Sequence, residues 1–227
     1  MKTLAIDTSL SVGSVAALEG AAIAEAPLAA GDHARLLAPA LVDVAGRLGW
    51  APRDAALVAV VRGPGSFTGL RIGVATAKAL AWAGGARLVG VSGFVVVARR
   101  TAQTLPDHDG PIAIAFDAGR GDVYAALATP HPADPAGWSV STAALVPAGD
   151  WLAALPTGTC ASGPALAAAA VASPAGLRVA PRHAWFPSAV EAGHVARLLA
   201  AAGRGDDAAA LVPDYLRPSY ADEKLPR

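Results

Sequence analysis

LAIDTSLSVGSVAAL (residues 4–18) and PIAIAFDAGRGDVYAALA (residues 111–128) decide the fold. Each is an apolar run that ends at an aspartate, Asp7 or Asp117, crosses a few turn residues and resumes as a second apolar run. Short apolar stretches bounded by turn residues read as strands. The same order of strand, aspartate, turn and strand thus occurs twice, once near the start of each half of the chain, and constitutes an internal repeat.

Around the first copy, AAIAEAPLA supplies a third strand. HARLLAPALVDVAGRLG (residues 33–49) follows, with Leu36, Leu37, Ala40, Leu41, Val44 and Leu48 at helical spacing. Asp32 is the expected N-cap and Gly49 the expected stop. Pro39 inside the pattern predicts a kink or a late start. AALVAVVR reads as a buried strand, FTGLRIGVATAKALAWAGG as a helix ended by Gly84 and Gly85, RLVGV as a strand and SGFVVVARRTAQ as a helix. LPDHDGP (residues 105–111) carries two prolines and a glycine among polar residues and is the best linker. GPALAAAAVA, in the second half, reads as a buried alanine-rich helix. Strand–helix alternation in both halves gives an α/β protein of two lobes, residues 1–106 and 107–227. A single doubly wound domain is the alternative.

Composition narrows the function. The 227 residues are 54% hydrophobic and carry no net charge. Such a chain can bury a sizeable core. It lacks the basic field of an unaided nucleic-acid binder. One cysteine, Cys160, excludes an internal disulfide and fits a reducing cytoplasm. No apolar run reaches the roughly 18 residues of a membrane span, and no signal-type run follows the N-terminus.

The stretch VVRGPGSFTGLRIG (residues 60–73) invites a phosphate-binding reading, and its chemistry argues against one. A Walker loop needs glycine followed by lysine and Ser/Thr; here Gly69 is followed by Leu70 and Arg71. The dinucleotide fingerprint fits at Gly63 and Gly65 but meets Thr68 at the sixth position. The backbone N–H groups near Ser66 to Thr68 retain the general anion affinity of a helix start. Behind the turn, Gly69, Gly73, Ala77 and Ala81 lie four apart and form a smooth stripe that another helix can approach, either within the lobe or on a neighbouring subunit. Leu70, Val74 and Lys78 form the adjacent face. None of the five histidines pairs with another at a spacing of four, so a helical zinc pair is missing. GVSGF lacks the second glycine of a nucleophile elbow, Phe94 standing in its place. Asp7 and Asp117 form a facing pair across a cleft, or each caps its own turn.

Together, LAIDTS, HARLLAP, RGPGSFTGLRIG, LVGVSG, FDAGRGDVYAAL and PDYLRPSYA resemble the TsaB (YeaZ) family, in that family's order and over nearly the whole chain. RGPGSFTGLRIG is the most specific of these, and residues 129–187 match only loosely. The resemblance implies two RNase H-like lobes of the actin, sugar-kinase and Hsp70 (ASKHA) type. It implies a subunit of the machinery that places threonylcarbamoyl on the adenosine next to the anticodon of tRNAs reading codons that begin with A. In that family a paralogue, TsaD, performs the transfer, the family member holds TsaD through a bundle of two helices from each protein, and the ATPase TsaE completes the assembly. The catalytic paralogue binds a metal through two histidines four apart. Gly93 and Val97 stand there in this chain, and neither can donate an electron pair. Leu10 and Ser11 likewise replace the glycine that lets phosphate approach the first turn.

The expectation is therefore a non-catalytic scaffold with no cofactor or metal of its own, touching tRNA only indirectly. Its partner surface is expected on the two helices. His33, Leu36, Leu37, Leu41 and Val44 come from the first. Gly69, Leu70, Arg71, Gly73, Val74, Ala77 and Lys78 come from the second. A homodimer through the same helices is expected when TsaD is absent. The rivals are an active phosphotransferase or carbamoyl-type enzyme using Asp7 and Asp117, and a partnerless small-molecule binder.

Overall fold

The computed structural model describes residues 1–156, 158–167 and 177–216, arranged around two sheets. The first half runs β1 (Thr3–Asp7), β2 (Gly13–Glu19), β3 (Ala22–Leu28), α1 (His33–Arg47), β4 (Leu57–Gly63), α2 (Phe67–Gly84), β5 (Arg87–Ser92) and α3 (Gly93–Thr104). Its sheet has the order β3-β2-β1-β4-β5, antiparallel across β3-β2-β1 and parallel across β1-β4-β5. The second half runs β6 (Ile112–Gly119), β7 (Asp122–Pro130), β8 (Trp138–Val140), β9 (Ala144–Pro147), α4 (Ala148–Ala153), β10 (Cys160–Ser162), β11 (Arg178–Val179) and α5 (Ala189–Ala201). Its sheet has the order β11-β10-β6-β7-β8, with β9 also paired to β7. Antiparallel β6-β7 and parallel β6-β10-β11 repeat the first sheet's pattern, and Asp7 and Asp117 occupy the same place in each hairpin. Two sheets, rather than one doubly wound sheet, are what the sequence repeat encodes.

The first sheet is covered on both faces, as its near-continuous apolar strands require. On one side, Leu4, Ile6, Val58 and Val60 pack against α1 and α2. On the other, Ala5, Leu57, Ala59 and Val61 pack against α5. Gly193 of α5 lies so near that a Cβ there would come 2.7 Å from a Leu18 methyl. The sequence division assigns residues 189–201 to the C-terminal lobe, yet they complete the core of the N-terminal sheet. α3 crosses between the halves: Val96 joins the first sheet's cluster, while Phe94, Val97 and Ala98 join Ile112, Ile114 and Phe116 of the second. A buried hydrogen bond between the Thr101 and Ser162 hydroxyls, 2.8 Å, ties α3 to β10.

α1 begins at His33 with Asp32 at the N-cap position and passes through Pro39 without a late start. The Asp32 carboxylate does not cap the backbone; it pairs with Arg35 at 2.9 Å. α2 starts as expected, the Ser66 hydroxyl accepting from the Gly69 N–H, and stops at Gly85 with φ of 66°. The expected alanine-rich helix of residues 163–172 is described only as far as a 3-10 turn at Pro164–Ala167; the remainder lies outside the described residues.

Candidate functional site

Gly65, Gly69 and Gly73 answer to the chain's own first hairpin, while Gly63 faces the Asp214 backbone. The Ser66 N–H donates to the Ser9 carbonyl at 2.7 Å. The Thr8 hydroxyl donates to the Gly69 carbonyl at 2.7 Å. A Cβ on Gly65 would overlap the Ser9 carbonyl, one on Gly69 the Thr8 carbonyl, and one on Gly73 the Thr8 hydroxyl. The β1–β2 turn therefore lies in the groove that these side-chain-free positions leave along the start of α2. The small stripe is an internal packing device, and its Gly69, Gly73, Ala77 and Ala81 all face inward.

That placement corrects most of the expected partner surface. Leu37, Leu41 and Val44 of α1, and Leu70, Val74 and Ala77 of α2, are at most 4% exposed and form the lobe's own core. His33 is 8% exposed, and its Nε2 sits beside Gly13 with no hydrogen-bond partner. Leu36 is half-buried against the same core. Lys78 reaches the carbonyls of Ala209 and Leu211 at 3.2 Å each. Only Arg71 of the twelve is exposed.

The outward faces of the same helices carry other residues. On α1 they are Ala34, Ala38, Val42 and Gly46, and on α2 Ala75, Ala79, Trp82 and Ala83. Trp82 is 85% exposed and Val42 59%. The charges of α1 are paired off along the helix, Arg35 with Asp32 and Arg47 with Asp43. α2 is mainly apolar, with Arg71 and Lys78 as its two charges. Its outward face combines Thr68 and Arg71 with alanines and Trp82, and no described residue covers Trp82. Ala75, Ala79 and Ala83 lie at helical spacing, as Gly69, Gly73, Ala77 and Ala81 do, so the sequence alone offers two small-residue faces and the structure buries the one with the glycines.

Between the halves lies a cleft of about 940 Å3, lined by Ser9, Leu10, Val12, Arg100, Asp117 and Phe186 among others. Asp7 stands behind it, 2% exposed. Its Oδ1 accepts from the Ser9 N–H at 2.9 Å and the Ser9 hydroxyl at 2.6 Å. Burial pushes the Asp7 carboxyl above the ordinary range, while the bonds from Ser9 and the charges of His33 and Arg100 pull it back. Asp117 is exposed and accepts from the Gly119 N–H at 2.8 Å. Each aspartate caps its own turn. Gly93 packs against Phe116 and the Gly63 carbonyl, and Val97 is fully buried in an apolar cluster. Among the described residues no three His, Cys, Asp or Glu side chains gather as a metal site.

Comparison with known proteins agrees with this architecture. Residues 26–131 match the family model described as "TsaD: tRNA N6-adenosine threonylcarbamoyltransferase", just under half of the chain. The tRNA threonylcarbamoyladenosine biosynthesis protein TsaB of Bacillus subtilis (strain 168) is 38% identical over 129 residues, 56% of this chain and 55% of that protein. TsaB of Escherichia coli (strain K12) is 34% identical over 129 residues, 55% of this chain and 53% of that protein. These sequence matches thus span about half the length of the curated relatives. The solved structure of YeaZ from Pseudomonas aeruginosa superposes with a TM-score of 0.77 at 25% identity, covering 94% of this chain and all of that one. The chain is thus similar to TsaB proteins over about half its sequence and to YeaZ in fold over nearly all of it.

Proposed function

From this kinship we infer that the chain serves in forming threonylcarbamoyladenosine in tRNA, as the subunit that holds the transferase rather than as the transferase. Its docking surface is the outer face of α1 and α2, and its partner is a protein of the TsaD kind, with TsaE joining the larger assembly. One observation carries this reading: the outward faces of α1 and α2 set large apolar side chains, Trp82 at 85% and Val42 at 59% exposure, among the small side chains of Ala34, Ala38, Ala75 and Ala79, uncovered among the described residues. Small side chains on that half let another helix come close, and a two-helix patch suits an interface burying roughly 800 Å2 on each partner. When TsaD is absent the same face closes on a second copy. A non-catalytic role is supported by Asp7 and Asp117, whose carboxylates are engaged in their own turns, and by the apolar environments of Gly93 and Val97.

The test is co-purification with the TsaD protein of the same genome, followed by a tRNA modification assay in which each component is left out in turn. Ala79→Arg puts a long cation in the middle of the exposed face without touching the core. It is expected to abolish capture of TsaD and tRNA modification while leaving the melting temperature unchanged. Capture at full strength by Ala79→Arg overturns the placement. ATP turnover by the purified chain that disappears in Asp7→Asn overturns the non-catalytic role.

A further inference from the structure

We propose that the segment of residues 204–216 is the third element of the docking surface, with Arg71 as its fixed anchor for a carboxylate on the partner. This rests on the reading that α1 and α2 dock a protein partner.

The segment starts with Arg204 paired to Asp134 of the second half at 3.1 Å and is then built onto the first lobe. The Asp206 N–H donates to the Leu88 carbonyl at 2.8 Å, and the Gly90 N–H donates to the Asp206 carboxylate at 2.7 Å. Leu211 is 5% exposed and fills the space beside Gly90. Lys78 holds the carbonyls of Ala209 and Leu211. The Asp214 N–H donates to the Arg62 carbonyl at 2.8 Å, and the two side chains pair at 3.1 Å. This anchoring delivers Tyr215 to the first turn of α2, where its ring lies 5.0 Å from that of Phe67. Arg71 completes the cluster. Its guanidinium lies 3.7 Å from the centre of the Phe67 ring and 5.6 Å from that of Tyr215, and its Nε donates to the Tyr215 hydroxyl at 2.8 Å.

Two consequences identify the partner's chemistry. First, large apolar side chains are exposed on the segment and at the start of α2: Val212 at 61%, Tyr215 at 42%, Leu216 at 39% and Phe67 at 38%. Tyrosine and arginine held rigid beside exposed apolar surface are the residue types that concentrate binding energy in protein interfaces. Second, the charge is one-sided. α2 contains no acidic residue, its only other cation, Lys78, is engaged by carbonyls, and no carboxylate among the described residues pairs with Arg71. The ring contacts and the Tyr215 hydroxyl fix Arg71 through one face and one nitrogen, leaving the terminal nitrogens as a fork that suits a carboxylate. The occupant is a helical protein partner that sets an aspartate or glutamate on Arg71 and apolar side chains on Phe67 and Tyr215. Its docking helix then runs along Ala75 and Ala79.

The experiment measures binding of the full chain to the co-encoded TsaD protein by titration calorimetry at low and high salt. The variants are Arg71→Ala, Tyr215→Ala, Tyr215→Phe and Ala79→Arg, each checked for unchanged melting. Arg71→Ala and Tyr215→Ala are expected to weaken binding tenfold or more. Tyr215→Phe, which keeps the ring and loses one hydrogen bond, is expected to lose less. Arg71→Ala is also expected to lose most of the salt dependence. Wild-type affinity in the Arg71 and Tyr215 variants, with binding lost in Ala79→Arg, overturns this inference and leaves the helix-face reading standing. Binding lost in the Arg71 and Tyr215 variants but kept in Ala79→Arg overturns the helix-face placement, and with it the claim that this segment adds to that face. A chain ending at Leu216 is expected to bind as the full chain does. If it does not, the anchor belongs to residues beyond 216 and the proposal fails. Absence of any wild-type complex overturns both readings.

Discussion

Gly73 and Thr8 meet so closely that a single methyl group decides whether the β1–β2 turn seats against α2. Gly73→Ala forces the Thr8 hydroxyl or the helix aside, an overpacking that costs about 1–3 kcal/mol. The urea midpoint is expected to fall with no change in slope. An unchanged midpoint would show that the hairpin yields without strain. A larger residue at Gly73 acts on the fold before any partner can feel it. The other single residue with a clear signature is Asp7. Burial raises its pKa, so the folded chain holds the proton more tightly than the unfolded chain does. Its contribution to stability is therefore fullest below the ordinary value of about 3.9 and declines as pH rises through the folded value. Asp7→Asn removes this titration and keeps an oxygen for Ser9. The variant is expected to be at least as stable at pH 7, and the wild-type-minus-variant difference in unfolding free energy should decrease as pH rises from about 4. Asp214 shares the sign of Asp7 and Asp32 has the opposite one, so only this difference isolates the residue. A difference that rises with pH would mean that Asp7 is stabilised as a charge.

The elements themselves were largely written in the sequence. Residues 3–28 as three strands, the helices at 33–47 and 67–84, the strand at 57–63 and the repeated hairpin at 112–130 follow from apolar spacing and from turn residues such as Gly85. Orientation was not written there. α2 has alanine on both faces, so periodicity alone cannot separate Ala77, fully buried, from the exposed Ala75 and Ala79. The choice is made by Gly69 and Gly73, whose lack of side chains serves contact with Thr8. The segment of residues 204–216 was equally hidden. It has no regular period, and its anchors, such as Lys78 on Ala209 and Leu211, join residues far apart in the chain. At this scale two hydrophobes, Leu211 and Trp82, separate sharply. Leu211→Ala is expected to lower stability by about 2–5 kcal/mol. Trp82→Ala is expected to stay within about 0.5 kcal/mol despite the larger side chain removed. Equal losses in chemical unfolding would mean that Trp82 packs on its own lobe.

For the whole molecule, the repeat gives two sheets, but the covering helices do not respect the midpoint of the chain. α5 closes the second face of the first sheet, and residues 204–216 run along its β5 edge. A fragment of residues 1–106 therefore leaves Ala5, Leu57, Ala59 and Val61 without cover. It is expected to bind hydrophobic dyes and to unfold without a cooperative transition. Addition of a peptide spanning residues 187–216 is expected to restore cooperativity. A sharp transition in the fragment alone would mean that α5 is dispensable to the first sheet. The sequence boundary at 106 marks where the repeat restarts, while folding binds residues 189–214 onto the first sheet.

Cys160 lies fully buried on β10, and burial pushes its thiol up, away from the reactive thiolate. A disulfide reagent in the solvent has nothing to attack while the second sheet stays shut. With one sulfhydryl in the whole polypeptide, the rate of colour release from such a reagent becomes a stopwatch for that sheet's opening, readable in the free protein and again with a partner seated on the opposite half.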